Sequence, residues 1–579
     1  MNLFGFDVRT LDVEALAARI HLLWWVLSTL AVGWLIRKVR LSGPAKPWRA
    51  VLALAVTGHL LAWFVTMFPL PNLYGVNGSL DRENHLGWVQ VIVAGNSPIR
   101  SFQVGQIHFE PLWPNLVALA TLYRPEFIDL IMQVAPLVVG VLFLLSVHAC
   151  FSRGLGGALE SKNEAVFAGF FALLLASTWA DQTAAFRNPW ALTFILKPNH
   201  ALGLVFTPIV LLAMARARTW AGRLWAGVLL HLLGWIFVIH MAFVISGFFV
   251  FAAWSWLEKR PERGRVILDV AAVTLIGTIL VSPYFYMLRE FVGATSVAAR
   301  LGIQPQSAHT LDGTIRLGLL FPLALFGAWS LARGASVFGR ILACQFVAAQ
   351  VNWQIFHVLG AFQLGKEMDE GFYWIRFVTA LVAGIGFWRL GRIAAPRVAR
   401  LIGRGALGEG ALSTATVAGL LVIAAPTALP GWWDPGRMDR YFTAALRPAP
   451  ERVSVPAAFL RDRTDPKAVV VGDRLYARYV SAFGARRVLL AESLNPPGDF
   501  SRRVEVETAV VSGQPASLIE EGRQRYGLRY LLVTPAFLAG HPGVTLDSLQ
   551  ARPDLRQVFQ SGAAEDRVTI FELLPGARP

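Results

Sequence analysis

Residues 224–257 read LWAGVLLHLLGWIFVIHMAFVISGFFVFAAWSWL, 34 positions without an Asp, Glu, Lys or Arg. A helix crosses the hydrocarbon core of a bilayer with about 20 apolar residues. The run is too long for one crossing and suits two, 222–238 and 241–257, joined by a tight hairpin near His240. Arg223 stands at one end and Lys259 and Arg260 at the other, so both ends of the pair face the same aqueous side.

The same reading extends along the chain. Further apolar segments fall at 18–36, 50–69, 128–151, 164–180, 200–215, 265–286, 315–333, 340–360, 372–390 and 411–430. The expected fold is therefore an all-α polytopic membrane domain of about twelve transmembrane helices. Composition agrees. Of 579 residues, 55% are hydrophobic and only 16% charged, and the mean hydropathy is +0.51. A soluble domain carries about 25% charged residues. A soluble enzyme, a disordered scaffold and a collagen-like fibre are excluded.

The formal charge is +16, which in a soluble protein points to nucleic acid. Here its distribution points to the membrane instead. One set of short loops holds 21 Lys and Arg: residues 37, 38, 40, 46, 49, 153, 162, 216, 218, 223, 259, 260, 263, 265, 333, 340, 389, 392, 397, 400 and 404. The alternate loops are longer in total and hold eight: residues 82, 100, 124, 187, 197, 289, 300 and 366. The first set is cytoplasmic by the positive-inside rule, and no nucleic-acid partner is implied. The two cysteines, Cys150 and Cys344, lie near expected cytoplasmic helix ends and form neither a disulfide framework nor a metal site.

From 431 the long spans stop. Residues 468–472, 487–491, 530–533 and 568–573 read as buried strands, and 474–482 and 503–525 as helices. The expectation is a transmembrane domain over 1–430, with a long outer loop at 70–127. An extracytoplasmic α/β domain follows over 431–579. The tail holds neither GxGxxG nor GxxxxGK[ST], so nothing in it suggests nucleotide binding. It reads as an accessory or acceptor-docking domain.

The groups able to do chemistry gather on the outer side. Loop 70–127 contains Asp81, Glu83, His85, His108 and Glu110, and long loops of this composition are usually functional. If the segment is extended, Asp81 and Glu83 share a face. If it is helical, Asp81 and His85 do. Either arrangement can orient a general base or offer two ligands to a divalent cation, and either is also compatible with a simple helix cap at Ser79 or Asp81. A second outer loop runs from Asp181 to Lys197, Pro198, Asn199 and His200, where a helix re-enters the membrane. A Lys, an amide and a His beside a helix start suit a phosphate, or a snorkelling Lys with a capping Asn. A third outer loop holds Lys366 and leads to Arg376, about a turn inside the membrane. An intramembrane Arg is a functional candidate by default. His240, alone on an apolar helix, reads first as a core histidine and second as a support for the site.

Together these features resemble the GT-C superfamily of integral membrane glycosyltransferases. The resemblance rests on Asp81-Arg82-Glu83-Asn84-His85, followed by Gly95-Asn96-Ser97-Pro98. It rests also on the late helix start Tyr373-Trp374-Ile375-Arg376, and on the tail phrases PAAFLRDRTDPKAVVV (456–471), RYLLV (529–533) and VTIFEL (568–573). It implies transfer of a sugar from a polyprenyl-phosphate donor to an acceptor hydroxyl on a glycan, lipid or protein, in the bacterial cytoplasmic membrane. Asp81 would be the general base, with Glu83 or His85 assisting. Lys197, His200, Arg376 and Lys366 would hold the donor phosphate, and His108, Glu110, Asp181 and His240 would support the site. Some members need a divalent cation, Mg or Mn, and others none. The chain departs from the pattern in having an additional span before the acidic loop, and Asp181 is not part of a second DxE. A diphosphate-linked glycan polymerase or ligase would favour arginine clusters in outer loops. A lipid or glycan flippase would favour inverted repeats and broken midplane helices. Neither pattern is present in the sequence.

Overall fold

A computed structural model describes residues 80–106, 111–174, 198–300, 320–361, 369–401, 451–491 and 498–575. The expected spans 18–36, 50–69 and 411–430 lie outside these residues, as do Asp181, Lys197, Lys366, His108 and Glu110. Along the chain the helices are α1 (Leu80–Val93), α2 (Leu112–Ala120), α3 (Ile128–Gly154), α4 (Leu159–Leu174), α5 (Pro198–Ala215), α6 (Trp220–Ile236), α7 (Val238–Leu257), α8 (Arg263–Arg300), α9 (Leu320–Ala332), α10 (Val337–Ala361) and α11 (Asp369–Leu401). The C-terminal part adds α12 (Glu451–Arg463), β1 (Val469–Gly472), α13 (Arg474–Gly484), β2 (Arg487–Val488), α14 (Phe500–Ser512), α15 (Ala516–Tyr526), β3 (Leu528–Val533), α16 (Pro535–Ala539), α17 (Leu546–Gln550), β4 (Leu555–Ser561) and β5 (Val568–Leu573).

The expected spans from 128–151 to 372–390 each coincide with or overlap one of these helices. Among the described residues, three stretches are long and apolar enough to cross a membrane by length and composition: Val238–Leu257, Arg263–Met287 and Trp374–Ala394. The run quoted at the outset does break in two, but at Phe237, where the backbone turns extended, three residues before His240. The expected span 265–286 is only the first part of α8, which continues to Arg300.

The chain forms two compact units. One contains the described residues of 134–283 and 305–442, and the other those of 72–133, 284–304 and 443–579. The second unit joins the acidic loop to the C-terminal segment.

In the first unit, small residues let helices approach closely, the usual device where lipid removes the hydrophobic drive. A Cβ on Gly384 would collide with the Phe167 carbonyl, and one on Gly327 with that of Val382. Polar side chains cross between helices: Ser146 Oγ donates to the Val205 carbonyl (2.6 Å), and Gln345 Nε2 to that of Val244 (2.9 Å). Arg389 makes a forked pair with Glu164 (2.7 and 3.1 Å) and also donates to Ser330 Oγ. Arg223 pairs with Asp269 at 2.6 Å, both nearly buried.

In the second unit, five strands form a sheet of order β2-β1-β3-β5-β4. β1 is parallel to β2 and β3, while β5 is antiparallel to β3 and β4. Val470, Leu532 and Ile570 face a core shared with α12 and α13; Val469, Val471, Leu531 and Phe571 face a core shared with α14 and α15. The expected helix 503–525 is two helices, because Gly513 in the left-handed region (φ +84°) ends α14 before α15 begins. β4 was not expected from the sequence: it is an edge strand in which only Leu555 is fully buried, so it lacks a long apolar run.

Candidate functional site

The acidic motif is helical. Asp81 and Glu83 lie in the first turn of α1, where positions 81 and 85 share a face and the extended alternative for 81 and 83 does not apply. A carboxylate in the first helical turn is favoured in its ionised form by the helix dipole. The end of α1 explains the Gly-Asn-Ser-Pro stretch. Gly95 takes a φ of +86°, its N–H donates to the Ile92 carbonyl (3.0 Å), and the Asn96 N–H donates to that of Val91 (3.0 Å). That is a Schellman ending, reinforced by Asn96 Nδ2 on the same Val91 carbonyl at 2.9 Å. The motif fixes the length of the helix that carries the acid.

His85 is buried, and its ring meets the edge of Trp88 with centroids 4.9 Å apart. Trp88 Nε1 donates to Ser101 Oγ at 3.1 Å. Leu86, Val89 and Ile92 are buried on the same helix. Beyond it the chain turns back and runs beside β2. The Val104 N–H donates to the Val488 carbonyl (3.0 Å), and the Val488 N–H donates to the Phe102 carbonyl (2.9 Å). Gln103 and Val488 thus form a parallel bridge that covers the edge of the sheet. An exposed edge is a template for unwanted pairing, and here the loop closes it.

Phe102 and Val91 enter the core under α12 and α13, whereas Val104 enters the core on the opposite face. α1 lies so near α13 that a Cβ on Gly87 would stand 3.1 Å from Ser481 Cβ. A Cβ on Gly105 (φ +76°) would meet Arg503 Nη2 at 2.7 Å. Arg503 is itself 2% exposed, paired with Asp499 (2.6 Å) and bonded to the Leu489 carbonyl (3.0 Å). Sequence reasoning missed these docking residues. The available signals were an isolated Gly inside the helical pattern 80–93, and the short apolar-polar-apolar run at 102–104.

The C-terminal domain has a polar cluster of its own beyond β1 and β3. Asp473 caps α13 by accepting from the Leu475 and Tyr476 N–H groups and from Thr534 Oγ1 (2.6 Å). Gly472 precedes it because a Cβ there would collide with the Leu532 carbonyl. Glu507 is buried against Arg474 (2.7 Å), and burial pushes its carboxyl upward. Each of these groups is satisfied within the domain.

In the first unit, α5 begins Pro198-Asn199-His200, with Pro at a first helical position. One turn on, Gly203 packs against the ring of His240, which is 0% exposed, and a Cβ there would collide with Nδ1. His240 also meets Phe237 (4.6 Å) and Trp374 (5.2 Å). Trp374 stacks on Phe243 at 5.6 Å, and Arg376, two residues along α11, is 3% exposed. Gly203 of α5, His240 of α7 and Trp374 of α11 thus share one neighbourhood. Among the described residues, no three His, Cys, Asp or Glu side chains stand together as a metal-binding group.

No protein-family model and no curated protein matches the sequence. The backbone is similar to that of ArnT from Cupriavidus metallidurans bound to undecaprenyl phosphate. Identity there is 13% over 90% of this chain and 98% of that one, with a TM-score of 0.49. It is also similar to the oligosaccharyltransferase AglB from Archaeoglobus fulgidus in complex with an inhibitory peptide and a dolichol-phosphate. Identity there is 12% over 84% of this chain and 69% of that one, with a TM-score of 0.47. An Archaeoglobus fulgidus oligosaccharyltransferase in complex with Zn and sulfate matches at 13% identity over 82% and 67%, with a TM-score of 0.44. These are likenesses of chain path, and no residue role passes from them to this chain.

Proposed function

We propose that the protein is a GT-C membrane glycosyltransferase that moves a sugar from a polyprenyl-phosphate donor to an acceptor hydroxyl outside the cytoplasm, with Asp81 as general base. The observation that carries the reading is the acid at the start of α1, on a helix capped at its far end and held by a buried loop. The acceptor hydroxyl needs a carboxylate within hydrogen-bond reach, kept ionised at neutral pH. A first-turn position supplies the second requirement. His85, buried against Trp88, supports the helix rather than sharing the proton.

Expulsion of a lipid phosphate needs no acid. It needs positive charge where the phosphate departs. Arg376 is buried among apolar helices, where a guanidinium is costly unless it serves an anion or a partner. The start of α5 offers N-terminal N–H groups that suit phosphate. Lys197, His200 and Lys366 complete the set assigned to the donor. The role of a divalent cation is not built into this reading, and acceptor choice is left to the tail and the outer loops.

The test is sugar transfer in membranes given labelled polyprenyl-phosphate hexoses and pentoses, wild type against Asp81→Asn. The expected result is transfer by the wild type and a loss of about 10²–10⁴-fold in the variant with donor binding retained. Full activity in Asp81→Asn removes the base assignment. No turnover by the wild type with any donor, divalent metal added, removes the reading.

A further inference from the structure

We infer that the C-terminal α/β domain is a positioning element for the acid-bearing helix, acting through the Gly87–Ser481 contact and the 102–104 bridge, rather than only a platform for acceptors. The inference rests on the glycosyltransferase reading and assigns a further task to residues outside its chemistry.

An appended docking domain would close its own core and its own sheet edge. This one does neither without the loop. β2 is two residues long, and its outer side is paired by residues 102–104. Val91 and Phe102 are members of one apolar core and Val104 of the other, so loop residues help to fill both faces of the sheet. The turn at Gly105 sits against Arg503, which is anchored to Asp499 and to the Leu489 carbonyl. The loop is part of the domain's fold, and α1 is fixed with it.

The contact that sets the pitch of α1 is at Gly87. Ser481 is fully buried on α13, and its hydroxyl bonds back to the Ala477 and Arg478 carbonyls of its own helix. Its Cβ therefore presents a fixed surface to α1, and a Cβ at position 87 would meet it at 3.1 Å, so the helices would have to part by a few tenths of an ångström to admit one. Position 81 lies six residues before Gly87, about 9 Å along the axis at a rise of about 1.5 Å per residue. A tilt of about 10° about that contact carries position 81 by about 1.5 Å. Displacements of about 1 Å at a reacting group cost on the order of 10²-fold in rate. The sequence places Gly where a helix former would otherwise be preferred by about 1 kcal/mol, and close packing on Ser481 is the return.

The experiment uses the full chain in membranes and compares wild type, Asp81→Asn, Gly87→Leu, Gly87→Ser, and Gly87→Ser combined with Ser481→Gly. The last exchanges the side chains across the contact and keeps its volume. Gly87→Leu is expected to lower kcat by about 10²-fold with the donor KM changed less than about twofold. Gly87→Ser is expected to lower kcat by about tenfold, and the exchanged pair to recover to within about threefold of wild type. Hydrogen exchange in β3 and β5 should be unchanged in all of them, since a merely structural defect would loosen the sheet. Where Gly87→Leu does not accumulate, the Gly87→Ser comparison decides alone. An active wild type that needs Asp81 but tolerates Gly87→Leu, or a Gly87→Ser loss that the exchange does not repair, overturns this inference alone. A wild type that transfers no sugar overturns the glycosyltransferase reading, and the positioning role with it.

Discussion

Replacing Arg503 with leucine should detach the acidic loop's anchor and loosen the whole C-terminal domain. Arg503 is 2% exposed and touches four things: Asp499 (2.6 Å), the Leu489 carbonyl (3.0 Å), the face of Tyr526 (5.0 Å from guanidinium to ring centroid), and the turn at Gly105. Leu489 is fully buried, so its carbonyl would lose a charge-assisted bond, at a cost of about 1–3 kcal/mol. The ion pair adds about 1 kcal/mol, because Asp499 keeps 28% of its side chain in solvent. The cation–π contact adds about 0.5–1 kcal/mol. Leucine recovers part of the packing, which leaves a net loss of about 3 kcal/mol, or roughly a 10²-fold fall in exchange protection. The assay is amide hydrogen exchange of the full-length protein in detergent, read on β3, β5 and residues 97–106. A second arm uses acid. Burial pushes the Asp499 carboxyl upward, but the Tyr526 hydroxyl and the Arg503 and Arg525 guanidiniums outweigh it and hold it below its ordinary value. Its contribution is therefore present above the unfolded value of about 3.9 and is lost as pH falls through the lower folded value. Arg503→Leu should reduce that acid sensitivity. A change of less than threefold in protection, or an undiminished acid response, refutes the reasoning.

Two further outcomes follow from the same structure. Gly203→Leu must displace the buried His240 ring, and overpacking of this kind costs about 1–3 kcal/mol; gel filtration of the solubilised protein should show less folded material. Glu507 has its carboxyl raised by burial, with Arg474 only partly offsetting it, so its effect on the domain's stability is most favourable below the unfolded value of about 4.3 and is lost as pH rises through the higher folded value. Glu507→Gln should flatten that slope, seen as pulse-labelled exchange in β3 after equilibration at pH 4 to 7.

The sequence carried the membrane reading because hydropathy and charge are local sums. A run such as 224–257 needs no partner to be recognised, and the break at Phe237 fell within a few residues of the expected hairpin. The buried strands at 469–472 and 568–573 were legible for the same reason, since both are short apolar runs. β4 was not legible, because in this edge strand exposed and half-buried side chains follow one another without a periodic signature. Pairing also left no local trace. Val104 meets Val488 far along the chain, through backbone groups that every residue possesses.

For the candidate site, the sequence supplied the residue types: an acid at position 81, and an Arg at 376, which is buried in a late helix. It left open whether Asp81 shares a face with Glu83 or with His85, because a five-residue motif fits both periods. The tertiary structure decided for the helix. Leu86, Val89 and Ile92 all find buried surroundings once α1 lies against the C-terminal domain, and an extended chain would turn alternate members outward. Which residues share an element follows from local propensity and hydropathy, and so can be read along the chain. Which elements share a core depends on shape, on Gly87 fitting Ser481 and on residues 102–104 fitting the edge of β2, and only the folded chain brings those surfaces together.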